Sequence, residues 1–148
     1  MIRNDKEYGI TRQRIDDAER VLAAQQSALQ STGLSLEELE RGLAPIKAFR
    51  AQLEDEIAWY NRVCRRDFDA IQGLTGVGQL LIAARIANSL SQRELAKRLG
   101  VSEAQVSRDE RNEYHGITVE RAQRILDTLG EMLTLRLERK PEAAAVAG

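Results

Sequence analysis

The sequence predicts a mainly α-helical protein: an N-terminal helical hairpin, then a compact bundle of short helices, then a short C-terminal strand. Three observations carry this. Apolar residues recur at steps of three and four through much of the first 75 positions, the period of a helix that packs against another helix. Between Ser91 and Asn112 two short helical stretches are bounded by cap residues and joined by a Gly-Val-Ser turn. After Gly130, Leu133, Leu135 and Leu137 alternate with Thr134, Arg136 and Glu138, which suits a strand with one buried face.

In order along the chain, Thr11 is placed to cap a helix running to about Gln30, with Ile15, Ala18, Leu22 and Leu29 on one stripe. Ser31-Thr32-Gly33 breaks it. Ser35 followed by Glu38 is a capping-box pattern, in which each residue satisfies a backbone N–H of the other. Leu39, Leu43, Ile46, Leu53, Ile57, Tyr60, Cys64 and Ile71 then form a seam. Pro45 is expected to bend or restart this helix, because it removes an N–H and clashes with the preceding turn. Cys64, on the seam, reads as a buried inert thiol. Gly73-Leu74-Thr75-Gly76 is a junction. The expected division is thus 1–75, an oligomerisation or partner-binding segment; 76–130, the bundle; and 131–148, the strand and a disordered tail from Pro141. For the strand, continuing helix is the competing reading, since Leu126, Leu129, Leu133 and Leu137 also share a helical face. A lone strand needs a partner, for which the same strand of a second subunit would serve.

The stretch from Ser91 to Asn112 carries the chemistry. Ser91 and Ser102 are placed to cap its two helices, and Gly100 to end the first with a left-handed residue. Leu95, Ala96 and Leu99 face inward, and Ala96 lets the helices cross closely. Val106 anchors the second helix. At about 100° per residue, Ala104, Arg108 and Arg111 then point away from Val106, flanked by Gln105 and Ser107. Such a face suits the major groove of DNA: Arg pairs with guanine O6 and N7, and Gln with adenine N6 and N7. Glu103 would accept from a cytosine amine and Ala104 pack on a thymine methyl. Helix N-termini at Ser91, Gln92 and Ser102 favour phosphate.

Leu80–Gly130 resembles the XRE/Cro–cI helix-turn-helix family, on the residues Ser-Gln-x-Glu-Leu-Ala-x-x-Leu-Gly-Val-Ser-x-x-x-Val-Ser-Arg-x-Glu-Arg. The resemblance implies a bundle of four or five helices, a phosphate contact for Gln92, and base-reading positions at Glu103, Ala104, Gln105 and Arg108. It also places Arg85 and Glu110 where related domains carry an ion pair. Asp109 departs from the pattern, standing where the family has a large apolar residue; it is expected to cap or to pair with a nearby Arg. A helical segment ahead of such a domain is similar to the arrangement in some bacterial repressors and HigA-type antitoxins.

Composition bounds the function. At 148 residues, 43% hydrophobic and 30% charged, the chain is globular, and its net charge of −1 argues against a general nucleic-acid coat. Attraction to DNA must come from local cations, and the expected phosphate contacts are Ser91, Gln92, Arg93, Lys97, Ser102, Ser107 and Arg111. One cysteine excludes an internal disulfide and a cysteine zinc site. His115 falls in a loop, and Gly73, Gly76 and Gly78 lack the Lys-Ser/Thr of a phosphate loop. No catalytic constellation, metal site or cofactor is expected. The longest apolar run, Leu80–Ala87, contains Arg85, so neither signal peptide nor membrane span is expected, and the protein reads as cytosolic. These features predict a homodimeric repressor that binds an inverted repeat in double-stranded DNA. The alternative is an antitoxin-like protein that neutralises a toxin through its helical half and regulates its own operon. A third reading confines the motif to protein contacts.

Overall fold

The computed structural model describes residues 1–140, so the tail Pro141–Gly148 lies outside the described residues. Six α-helices and one 3-10 turn account for the regular structure among them, with no strand. The protein is mainly α, as its sequence predicts. No helix among the described residues is long and apolar enough to cross a membrane.

The first two helices, α1 (Asp5–Gln30) and α2 (Leu36–Cys64), form the hairpin. Helix α1 starts earlier than expected: Asn4 caps it, accepting from the Glu7 backbone N–H, while Thr11 is buried inside it. The capping box of Ser35 and Glu38 is present. Pro45 does not interrupt α2, which continues unbroken on both sides of it. Its seam is spent within the chain: Leu39, Leu43, Leu53, Ile57 and Tyr60 are all buried, and α1 is the main neighbour of α2. Cys64, at the end of α2, is exposed, and the adjacent Val63 takes the inward place. Ile71 lies beyond the helix, in an irregular segment that leads to the 3-10 turn Leu74–Gly76.

Four helices follow: α3 (Val77–Ala87), α4 (Gln92–Leu99), α5 (Glu103–Arg111) and α6 (Val119–Leu129). Each boundary has a local cause. Ser91, Ser102 and Thr118 accept from backbone N–H groups at the starts of α4, α5 and α6. Gly100 and Gly130 end α4 and α6 in the left-handed region, with φ of 72° and 70°. Helix α3 is apolar nearly all round and sits at the centre, with Leu81, Ile82 and Ile86 buried. Gly78, in its first turn, touches the α5–α6 connection so closely that a Cβ there would lie 1.8 Å from the Glu113 carbonyl oxygen.

One apolar cluster spans the hairpin and the bundle. Ile57, Tyr60 and Val63 of α2 pack with α3, and Ile2, ahead of α1, is 1% exposed in the same cluster. The Tyr60 hydroxyl donates to Asp5 at 2.9 Å, and burial, then this bond, hold the phenol above its ordinary pKa.

Residues 131–140 are neither helical nor paired with another strand. Neither the expected strand nor the competing helix is therefore formed over Leu133–Leu137: the left-handed Gly130 ends α6, and no second strand of the chain lies beside the segment to pair with it. Glu131 anchors this segment, accepting from Arg66 and from Asn88, each at 2.7 Å. Leu133 is half-buried, whereas Leu135 and Leu137 are 67% and 100% exposed.

Candidate nucleic-acid interface

Helices α4 and α5 make the two-helix unit, joined by Gly100, Val101 and Ser102. Leu95, Ala96 and Val106 close the angle between them, each at most 1% exposed. With Val106 inward, the opposite side of α5 is presented to solvent: Glu103, Ala104, Arg108 and Arg111 are exposed, and Gln105 and Ser107 are half-buried beside them. Ser91, Arg93, Lys97 and Ser102 are also exposed, on α4 and at the two caps.

Behind the unit lies the ion pair. The Arg85 guanidinium donates from Nε and Nη2 to the two carboxylate oxygens of Glu110, the latter at 2.7 Å. Both side chains are almost fully buried, at 2% and 0%. Burying charge is costly unless every polar atom finds a partner. Here the remaining Arg85 donors reach the Leu90 carbonyl at 2.6 Å and the Arg3 carbonyl at 3.0 Å. Glu110 accepts a further bond from Gln92 Nε2 at 2.7 Å. Among the described residues no buried side-chain nitrogen or oxygen is left without a partner. The pair therefore joins α3, α5, the start of α4 and the segment before α1. Gln92, expected on phosphate, gives an amide proton to Glu110.

A second chain of contacts runs along the outer side of α5. Asp109 is paired with Arg121 of α6 and accepts from Gln105 Nε2 at 2.9 Å. Gln105 Oε1 in turn accepts from Arg108 Nη2 at 3.1 Å. Asp109 thus pairs with a nearby arginine, the outcome its departure from the apolar pattern suggests. Arg121 was not anticipated, nor was Tyr114, whose ring is 5% exposed behind α5. Burial, and secondarily the charge of Glu110, keep the Tyr114 phenol above its ordinary pKa. His115 is exposed in the loop, as expected.

A short helix crossed behind a second one, whose outer face is polar and whose inner face is locked to a core, is the arrangement of a helix-turn-helix unit. Residues 81–133 match the family model described as Helix-turn-helix. The chain carries an XRE-type helix-turn-helix domain, the kind found in DNA-binding transcription regulators and not an enzyme family. No curated protein and no solved structure matches the chain.

Proposed function

We propose that this protein is a sequence-specific transcriptional repressor that binds an inverted repeat as a homodimer. The observation that carries the reading is the outer face of α5, exposed at Glu103, Ala104, Arg108 and Arg111 while its inner face is fixed by the Arg85–Glu110 pair. A reading helix held in one orientation loses little freedom on entering the groove. In this reading Glu103, Ala104, Gln105 and Arg108 face bases. Ser91, Gln92, Arg93, Lys97, Ser102, Ser107 and Arg111 set register on phosphates. One reading helix covers only a few base pairs, so two copies about 34–36 Å apart are needed for an operator-length site.

Selection of bound sequences from a random DNA pool, followed by affinity measurements, tests this. Arg108→Ala should cost about 1–3 kcal/mol on the selected site and relax the preference at one base pair, whereas Lys97→Ala should weaken all sequences alike. Equal loss on selected and random DNA for Arg108→Ala would make it a backbone contact. A second reading, an antitoxin-like protein that neutralises a partner, draws on the hairpin. Ile10 and Val21 are exposed and lie on one face of α1, and Leu36 is 82% exposed at the tip. Co-purification of a small partner that is lost on changing Ile10 and Val21 to Asp would favour it.

A further inference from the structure

We propose that Asp109, held by Arg121, makes Gln105 a positioning residue for Arg108 and so commits this part of the reading face to guanine. The inference rests on the DNA-binding reading above and goes beyond it in assigning the base. A carboxylate only accepts hydrogen bonds, so the Gln105 amide must turn its NH2 toward Asp109. Its oxygen then faces the other way and accepts from the Arg108 guanidinium. Flipping the amide would set oxygen against carboxylate and NH2 against guanidinium, losing both bonds at once. The charge on Asp109 therefore fixes which end of the amide meets Arg108.

Adenine recognition by glutamine uses one amide proton and the amide oxygen together, on N7 and N6. In Gln105 that oxygen already holds Arg108, and one of the two protons holds Asp109. Arg108 keeps four of its five N–H donors, on a fork restrained at one corner, which suits the paired O6 and N7 of guanine. Arg121 supplies the remaining requirement. A lone carboxylate beside the reading face would repel the DNA backbone, and the guanidinium from α6 neutralises it. Asp109 is 16% exposed, whereas Arg121, at 42%, reaches it from the rim.

The alternative is that Asp109 and Arg121 only staple α5 to α6, which would change stability and not base preference. Full-length wild type, Arg108→Ala, Gln105→Ala and Asp109→Leu are compared on the selected site and on its single-base variants, with thermal unfolding in parallel. Wild type should prefer guanine at one base pair of each half-site, and Arg108→Ala should abolish that preference. Gln105→Ala and Asp109→Leu should each lower it about tenfold. Asp109→Leu alone should also gain tolerance of adenine there, since it frees the Gln105 amide. For Gln105→Ala, which changes no charge, the salt dependence of binding should stay unchanged. If both variants keep the wild-type guanine preference, or lose affinity uniformly across bases, the proposal is overturned while the DNA-binding reading stands. If wild type selects no sequence, that reading itself is overturned.

Discussion

Glu110 gathers three hydrogen bonds from two directions, two from Arg85 and one from Gln92. Removing its carboxylate would strand a guanidinium that is 2% exposed, the situation in which a buried pair is costly to break. Glu110→Ala should therefore lose about 3–5 kcal/mol of stability. Glu113→Ala, at an exposed position bonded only to Gln79, should stay within about 0.5 kcal/mol. Chemical unfolding of the two variants checks this, and similar midpoints would remove the pair from the frame of the domain. The pair was legible in the sequence because both residues sit beside apolar faces at positions the family resemblance marks. The carbonyls of Arg3 and Leu90 that complete it were not, since a backbone acceptor carries no residue-type signature. Gln105 and Arg108 were legible as neighbours on the outer side of α5, but their mutual contact depends on which way an amide turns. That is set by Asp109 and, from a different helix, by Arg121.

At the scale of elements, the boundaries of α4, α5 and α6 follow from single cap residues whose effect is local, and these were all legible. The start of α1 was misread because threonine both caps helices and packs inside them. The available signal was Asn4 followed three residues later by Glu7, the same spacing that marks Ser35 and Glu38. Pro45 shows the opposite limit: a breaker inside a helix can be outweighed when long flanks on both sides are packed, as Leu43 and Leu53 are here. The junction of the C-terminal segment with the bundle has its own pH signature. Arg66, and then Asn88, hold the Glu131 carboxyl below its ordinary value of 4.5. A carboxyl depressed in the folded state stabilises it fully above the unfolded value and loses that contribution as pH falls through the folded value. The stability difference between wild type and Glu131→Gln should thus be constant near neutrality and shrink on acidification below about pH 4.5. A difference that grows with acidity would contradict the assignment.

For the whole molecule, periodicity identified the apolar face of α2 but not what covers it, because a helix seam looks alike whether it meets its own chain or another. With that face turned to α1, the row Leu133, Leu135 and Leu137 is an apolar edge open for pairing in the proposed dimer, apart from the exposed Ile10 and Val21 of α1. Joint replacement of Leu135 and Leu137 by Asp should yield monomers with unchanged helix content, whereas Leu53→Asp, at 3% exposure in the core, should unfold the chain. Light scattering and circular dichroism separate the cases, and a dimer that survives the double replacement would move the interface elsewhere.

The contact between Arg85 and the Arg3 carbonyl joins residues 82 positions apart, and this sets an order of events during synthesis. At roughly 5–20 residues per second, several seconds pass between translation of Ile2 and that of Glu110. Through that interval the hairpin can zip locally, yet the inner end of α2 has nothing to close on and Ile2 has no core to enter. Ile2 and Arg3, translated well before Glu110, are thus among the last secured, and the helix-turn-helix domain is also the one that finishes folding the hairpin made before it.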